Sequence, residues 1–263
     1  MGDTVNIRTR GSVPIHEGYA KGMQLDPPDY IESPSIQLLI DKSTYFYYGI
    51  DDVDKYQTDL PLMNEWASDA TEQDKIVIDT RCLAYIYGEA AAKNQGATAG
   101  IISGLYNLGV AGAPIQLTSS NILKYYAMMR AVLGEYNIPE SNNFVIIPEA
   151  AAALLRMSDI KDASFVGGAS SLRDGRVGKI MSFMTYASNL LPSVVDGTTG
   201  QLCFYIIFGH PLGLTFASQF IETNYIDKPE RTFGKFVKSL HVYGRKVIKP
   251  SAIGVLYATP ILT

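Results

Sequence analysis

Hydrophobic and polar residues alternate with a period of two at both ends of the chain, which is the pattern of strands with one buried face. Residues 3–9 alternate in this way and residues 35–48 supply a return arm, so the N-terminal region is predicted to be an extended hairpin. Near the C-terminus, alternation predicts strands at residues 219–225 and 234–249, and residues 250–257 close the chain.

The loop between the two N-terminal arms has little core-forming pattern. It is rich in glycine and proline, at Gly11, Pro14, Gly18, Gly22, Pro27, Pro28 and Pro34. A long loop without secondary structure counts against a simple globular assignment. We therefore expect an arm that finds its partner on another subunit.

Apolar residues then recur with helical spacing over residues 51–92. One stripe is Leu62, Trp66 and Ala70, and a second is Leu83, Ile86, Tyr87 and Ala90. This pattern predicts a short helix before Pro61 and a long one after it, because proline is tolerated in the first turn of a helix. Asp51, Asp52 and Asp54 are expected near a helix start, where the helix dipole favours anions. A helix from residue 62 to 92 would be about 45 Å long.

The middle of the chain mixes both patterns. Glycines in residues 93–119 predict loops and short strands, and Ser119, Ser120 and Asn121 are expected to cap a helix. The elements predicted after this cap are a helix at 122–136, a strand at 144–147, a helix at 149–157 that begins after Pro148, a strand at 178–191, a turn at 196–200 and a strand at 201–208. Strands and helices do not follow a βαβ rhythm, so the predicted class is α+β.

The composition of the 263-residue chain suits a protein that buries surface against its own copies. Hydrophobic residues make up 47%, aromatic residues 11% and charged residues 18%, and protein interfaces are depleted in charge and enriched in aromatics. A well-packed monomer has a similar composition, so this alternative stays open. The net charge of −4 lacks the basic footprint of a nucleic-acid binder. The basic residues near the C-terminus are interpreted as a solvated strand face: Lys235, Lys238, Arg245, Lys246 and Lys249.

Known catalytic and ligand-binding motifs are missing from the sequence. The three histidines, His16, His210 and His241, have no second histidine four residues on, which excludes an HExxH site. No GxSxG, GxxxxGK[ST] or GxGxxG motif occurs, and residues 51–54 lack the Gly and Glu of a calcium loop. A Ser–His–Asp triad needs no fixed spacing and is left open. We predict no catalytic, cofactor-binding or metal-binding residues, and not an enzyme.

The two cysteines, Cys82 and Cys203, lie among apolar neighbours without metal-binding spacing. They are predicted to be buried free thiols, which fits a reducing compartment. The N-terminus carries no signal-peptide pattern, and no apolar run reaches the roughly 18–20 residues that span a bilayer. We expect a protein that is soluble in the cytosol when made.

One segment is similar to a known family. A glycine-broken basic turn at residues 173–180 opens into an alternating stretch, 181–191, that contains Ser-Asn-Leu, and this resembles tailed-phage coat proteins. As an order of elements, nearly the whole chain resembles a major capsid protein of the Hong Kong 97-like fold. The segments that carry the resemblance are residues 2–7, 52–57, 78–79, 144–149, 177–191, 208–217 and 243–253.

The resemblance implies a division of the chain. Residues 1–49 would form the extended loop, a β-hairpin arm that reaches across a neighbour, and residues 50–92 the peripheral domain with its spine helix. Residues 93–202 would form the axial domain, and residues 203–263 the return to the peripheral domain. The family normally has an N-terminal arm before the first strand, whereas here that strand begins at residue 3. Some relatives cross-link subunits through a lysine; Lys21 and Lys42 lie in the corresponding region, but nothing identifies a partner.

The resemblance also implies function. A structural coat protein would self-assemble into pentamers and hexamers of an icosahedral shell in the bacterial host cytoplasm. The shell would enclose double-stranded DNA without sequence-specific binding, and scaffolding, portal and decoration proteins would be further partners. An encapsulin-type compartment shell is the alternative within the fold, and a soluble enzyme with an unrecognised site is the alternative from another class.

Overall fold

The computed structural model describes residues 4–8, 13–25, 27–51, 62–158, 176–226 and 234–262. The α-helices in these residues are α1 (Leu62–Ile86), α2 (Ile122–Glu135) and α3 (Glu149–Met157). The strands are β1 (Thr4–Arg8), β2 (Ser35–Leu39), β3 (Lys42–Asp51), β4 (Ile115–Leu117), β5 (Asn143–Ile147), β6 (Arg176–Ile180), β7 (Phe183–Ala187), β8 (Ser193–Val195), β9 (Leu202–Gly209), β10 (Leu214–Ile226), β11 (Gly234–Val247) and β12 (Ile253–Pro260).

The main core lies between a seven-stranded mixed sheet and two helices. The strand order is β4-β12-β9-β5-β7-β6, and β8 pairs with β9. Tyr126 and Met129 of α2 and Leu154 of α3 are buried against Phe183 of β7 and Phe208 of β9. The ring of Phe183 meets both Tyr126 and Phe208 edge-on, with centroids 6.2 and 6.4 Å apart. Such contacts add to the free energy that burial of the rings already contributes.

A second sheet is antiparallel, with the strand order β10-β11-β3. Helix α1 lies on one of its faces, where Trp66 meets the ring of Tyr48 edge-on at 6.1 Å. Further along, the guanidinium of Arg245 in β11 lies 5.1 Å from the ring centroid of Tyr85 in α1. Since side chains alternate along a strand, the other face of this sheet is left without the helix.

Strands β1 and β2 form a separate two-stranded hairpin, in which Thr4 pairs with Leu39 and Arg8 with Ser35. The base of this hairpin rests on β11. A side chain at Gly244 would collide with the carbonyl oxygen of Leu39, so only glycine allows this approach. Beside it, Lys246 Nζ donates to the carbonyl of Gln37 at 3.0 Å. These contacts fix where the hairpin leaves the rest of the molecule.

Several predicted elements are confirmed. The strand at Thr4–Arg8, the helix at Glu149–Met157 and the strand at Leu202–Gly209 match the predicted positions closely. The long helix is present but ends at Ile86 rather than 92, followed by 3₁₀ turns at Tyr87–Glu89 and Ala92–Asn94.

The predicted place of Asp51 near a helix start is wrong. Asp51 is the last residue of β3 rather than part of a helix start. Asp52, Asp54 and the short helix expected before Pro61 lie outside the described residues.

The single strand predicted at 178–191 is wrong. The chain makes a hairpin there, with β6 and β7 joined at Met181 and Ser182, whose φ angles are +45° and +73°. Two positive φ angles are the geometry of a type I′ turn, which Asn and Gly normally signal. Met-Ser carries no such signal, so the alternating patterns of β6 and β7 were interpreted as one continuous strand. The predicted basic turn is likewise corrected, since Arg176–Ile180 is strand β6; residues 173–175 lie outside the described part.

The expected cap of α2 takes a different form. Asn121 does occupy the position before the helix, but its side chain makes no bond to the helix backbone. Its Oδ1 instead accepts from the amide of Thr118 at 2.9 Å, and its Nδ2 donates to the carbonyl of Gln116 at 2.8 Å. The side chain therefore stabilises the turn that precedes the helix.

The two sheets draw on strands from distant parts of the sequence. Strands β9 and β12 join the sheet that contains β4, β5 and β7, whereas β10 and β11 pair with β3. Residues 203–263 thus contribute to both sheets. The division of the chain at residues 49, 92 and 202 stays a prediction.

Candidate assembly surfaces

The loop between β1 and β2, here called the arm loop (residues 9–34), is the first candidate surface. Its described residues, 13–25 and 27–34, form no helix or strand. Most of its large apolar side chains face solvent; Tyr30 is 93% exposed and Ile15 is 82% exposed. The exposed set is Val13, Ile15, Tyr19, Met23, Leu25, Tyr30 and Ile31. This concentration of exposed apolar side chains in one segment makes the arm loop a candidate interaction site.

The second candidate surface is the face of the β10-β11-β3 sheet that lies opposite α1. Tyr45 and Tyr47 of β3 project there, and the ring of Tyr47 stacks on Phe236 with centroids 5.6 Å apart. Tyr45 pairs with Leu240 of β11, and both are exposed. Together with neighbouring side chains of β10 and β11, they line an open groove of about 520 Å³. Exposed tyrosines combine apolar area with a hydroxyl, which is the chemistry that protein interfaces favour.

The third candidate is the loop of residues 100–105, called here the 100–105 loop. An antiparallel bridge between Ala99 and Tyr106 closes its base. Glu135, the last residue of α2, accepts hydrogen bonds at Oε2 from the amides of Ile102 at 2.7 Å and Ser103 at 3.2 Å. The pKa of the Glu135 carboxyl is held below its usual value. The largest cause is the hydrogen bond from the Ser103 hydroxyl, and the two amides contribute less. The loop is thus fixed to a helix end by an ionised carboxylate.

The buried carboxylate of Asp196 joins two segments of the axial region predicted at residues 93–202, around Gly112 and at 196–199, to the last strand. Asp196 Oδ1 accepts from the amides of Thr198 and Thr199, each at 3.0 Å. Its Oδ2 accepts from the amide of Gly112 at 2.6 Å and from the hydroxyl of Tyr257 at 3.0 Å. The amides of Gly112 and Thr199 are the largest influences that lower the pKa of Asp196 far below its usual range.

The hydroxyl that completes this network stays protonated. Burial is the largest cause that raises the pKa of Tyr257, and the neighbouring Cys203 and Asp196 add to it. Tyr257 therefore remains a hydrogen-bond donor to Asp196 across the ordinary pH range. The role of Asp196 is structural, because its buried carboxylate accepts hydrogen bonds at both oxygens from within the chain.

We expect Asp196→Asn to lower the thermal unfolding midpoint at pH 7, because an amide replaces a carboxylate that accepts charge-assisted bonds. A folded-state pKa below the unfolded value near 3.9 means that the stabilisation is present above about pH 4 and is lost as the pH falls below it. The gap between wild type and variant should therefore narrow progressively as the pH falls from about 4 to 3, without closing, because the folded-state pKa lies below this range. Thermal melts from pH 3 to pH 7 measure this, with Asp69→Asn on the exposed side of α1 as the control. A gap that stays constant over this range contradicts the assignment.

The three histidines lie in separate places. His16 is in the arm loop, 2.7 Å from Asp29. His210 accepts at Nδ1 from the amide of Leu212. His241 of β11 bridges Ser218 of β10 at 2.9 Å and Asp74 of α1 at 3.2 Å. The last contact ties α1 to the second sheet.

Both cysteines are free thiols, and the predicted burial is confirmed for Cys203 but is wrong for Cys82. Cys203 is buried, whereas Cys82 is half-buried, and burial raises the pKa of the Cys82 thiol. Within the described residues, no group of three or more His, Cys, Asp and Glu side chains could hold a metal ion.

The basic residues near the C-terminus do not form one surface. Arg245 packs against Tyr85 on the helix side of the second sheet, whereas Lys246 contacts the hairpin on the opposite side. Lys238 and Lys249 are exposed. Of the two lysines considered for cross-linking, Lys21 is exposed in the arm loop and Lys42 pairs with Asp41 at 2.8 Å.

Comparison with known proteins shows which family the chain belongs to. The sequence model of the phage capsid protein family matches residues 36–256, a range that contains helices α1 to α3 and strands β3 to β11 and ends within β12. The chain belongs to the phage capsid protein family. This capsid protein has no match among curated proteins.

Solved structures agree with the family. A protein of Mycobacterium phage Che8 is 22% identical, with a TM-score of 0.68, over 97% of this chain and 84% of that one. The capsid of Ralstonia phage GP4 is 11% identical, with a TM-score of 0.72, over 98% and 84%. The capsid of cyanophage P-SCSP1u is 15% identical, with a TM-score of 0.69, over 99% and 85%. The predicted α+β, Hong Kong 97-like capsid fold is confirmed.

Family membership gives the capsid protein its role and place: it is a structural protein of the virion shell. Among the described residues, none of the helices is both long enough and apolar enough to cross a membrane. Sequence reasoning did not find Asp196 or Glu135 as loop-fixing residues. The Asp-Gly-Thr-Thr-Gly segment at 196–200 was a signal for the first, since Asp commonly binds amides two and three residues on. No signal marked Glu135, whose bonds span more than 30 residues of sequence.

Proposed function

We propose that this capsid protein assembles with copies of itself, as pentamers and hexamers, into the icosahedral shell of a tailed phage. The observation that carries the proposal is the arm loop, whose large apolar side chains face solvent in the single subunit. Such exposure is unfavourable unless a partner covers it. Burying them on a neighbour would remove this surface from water, which is the dominant favourable term in association.

The geometry of the arm supports a contact between subunits rather than within one. Strand β2 leads into β3 through Ile40 and Asp41, and the base of the hairpin lies on β11 at Gly244. The arm loop is at the far end of β1 and β2 from this anchor. A contact that one surface makes with a different surface of the next copy is heterologous, and heterologous contacts close into rings when the rotation permits.

The division into units belongs to the same proposal. Residues 1–49 act as the arm, residues 50–92 and the returning residues 203–263 as the peripheral domain, and residues 93–202 as the axial domain around five- and sixfold axes. The guanidinium of Arg245 in β11 against the ring of Tyr85 in α1 supports a peripheral unit that joins residues 50–92 to residues 203–263.

The cargo of the shell is proposed to be double-stranded DNA, held without sequence-specific contacts. The net charge of −4 and the separated basic residues support a container rather than a nucleic-acid reader. Assembly would take place in the cytoplasm of the bacterial host, where the free thiols stay reduced. Scaffolding, portal and decoration proteins are the further partners we propose.

Electron cryo-microscopy of particles from cells that express the capsid protein tests the proposal. We expect closed shells with rings of five and six copies, and DNA within particles isolated from infected cells. The matched measurement is the ratio of absorbance at 260 and 280 nm before and after nuclease treatment. Shells that hold protein cargo instead of nucleic acid would support an encapsulin, and a dispersed 28.8 kDa species would contradict a shell of either kind.

A further inference from the structure

The 100–105 loop is both apolar at its exposed tip and held in one conformation. Its sequence, Gly-Ile-Ile-Ser-Gly-Leu, carries no charge. Ile102 is 81% exposed and Leu105 is 80% exposed, and Ile101 is also exposed. Surface loops are usually polar, and an apolar tip gains nothing from contact with water.

The loop is also held in one conformation. The carboxylate of Glu135 receives two backbone amides, and the amide of Gly100 donates to the carbonyl of Lys93 at 2.7 Å. Gly104 donates back to the carbonyl of Gly100 at 3.2 Å. Gly100 has a φ of +104°, and a side chain there would collide with Ser103 Oγ and Glu135 Oε2. A loop fixed in this way loses little conformational entropy when it binds.

We propose that the 100–105 loop packs against a second copy of this chain during assembly, and that Glu135 is the positioning residue that holds it ready. The proposal rests on the self-assembly proposed above and names one of its contacts. Glu135 does not touch the second copy; it acts through the backbone of Ile102 and Ser103.

The chemistry of the loop favours this occupant over others. Without charge on residues 100–105, the loop offers nothing to the phosphates of nucleic acid, whose binding depends on Lys and Arg. Three side chains also give much less than the roughly 800 Å² per partner of a stable complex. The loop therefore suits a contact that acts together with others, such as the arm loop. Identical copies supply many such contacts at once, so that weak contacts combine.

Two kinds of variant test the loop. The double variant Ile102→Ser, Leu105→Ser removes the apolar tip and keeps the backbone, with Leu262→Ser, another exposed apolar residue, as its control. Glu135→Ala removes the fixing carboxylate, with Glu140→Ala as its control, because the Glu140 side chain is 80% exposed and pairs with Arg130. Light scattering over a concentration series gives the critical concentration for assembly of each.

We expect both loop variants to raise the critical concentration about tenfold, a change equal to about 1.4 kcal/mol in contact free energy, while the controls match wild type. Amide hydrogen exchange separates positioning from contact. In the unassembled protein, the amides of residues 102 and 103 should have lower protection factors in Glu135→Ala than in wild type, and wild-type protection factors in the double variant.

The result that overturns the inference is wild-type assembly in both loop variants. If wild-type protein assembles and the variants do so equally well, the loop is not a contact, and the proposed shell is unaffected. If wild-type protein itself stays dispersed, the proposed function fails and the inference fails with it.

Discussion

Removal of the arm loop abolishes particle formation while leaving the subunit folded; this is the expected result when residues 11–33 are replaced by a short Gly-Ser linker. The described residues of this segment form no helix or strand, and their large apolar side chains face solvent. They contribute little to the stability of the subunit, so the circular dichroism spectrum and the unfolding midpoint should match wild type. Sedimentation and electron microscopy should show dispersed subunits.

A second variant separates the length of the arm loop from its chemistry. Serine replaces the exposed apolar residues at full length, at Val13, Ile15, Tyr19, Met23, Leu25, Tyr30 and Ile31. We expect the same loss of particles, because apolar contact rather than reach supplies the free energy of association. An unfolded deletion variant would show that the segment belongs to the core of the subunit, and normal particles from the serine variant would show that its apolar residues are not the contact.

Replacement of Asn94 should have the largest effect on the stability of the subunit. This side chain is fully buried beyond the end of α1, and its Nδ2 donates to the carbonyls of Ser251 at 2.8 Å and Ile253 at 2.9 Å. Asn94→Ala removes both hydrogen bonds, one buried and one partly buried, and takes this donor away from both carbonyls, which costs about 3 kcal/mol. For a chain of this size, the melting temperature should fall by roughly 6–12 °C.

Asn94→Asp should be worse than Asn94→Ala. It places a negative charge beside two carbonyl oxygens, and the Oδ1 of Asn94 has no hydrogen-bond donor among the described residues to compensate. The control is Asn224→Ala, which removes an exposed bond to Glu222 and should change stability by less than about 0.5 kcal/mol. Differential scanning calorimetry measures all three. Equal melting temperatures for Asn94→Ala and Asn224→Ala would show that the link to residues 251–253 is not important for folding.

The sequence predicted the fold where one local pattern dominates. Residues 149–157 follow a proline and have clear helical spacing, and the helix spans Glu149–Met157. The alternation of residues 3–9 likewise predicted β1. In these segments the period of burial is set by the element itself, so neighbouring residues carry enough information.

The prediction failed where geometry depends on a backbone conformation that the residue types do not signal. Met181 and Ser182 adopt positive φ angles without Gly or Asn, so the β6–β7 hairpin was taken for one strand. The cap at Asn121 failed for a related reason, since its side chain prefers the preceding turn. Neither the turn at Met181 and Ser182 nor the bonding of the Asn121 side chain is signalled by the residue types alone.

The candidate surfaces divide in the same way. The arm loop could be found from sequence, because its glycines, prolines and apolar residues lie in one continuous segment. The fixing of the 100–105 loop by Glu135 and the network around Asp196 could not, because their partners come together only in the folded chain. Contacts between distant segments are the part of the fold that a single sequence leaves undetermined.

Sedimentation velocity of the wild-type protein over a rising concentration series tests whether the subunits assemble into closed shells. We expect a sharp transition from subunits or small rings to a single fast-sedimenting boundary, above which the concentration of unassembled protein stays constant. A protein that sediments as a 28.8 kDa monomer at every concentration, including those far above micromolar, would contradict it.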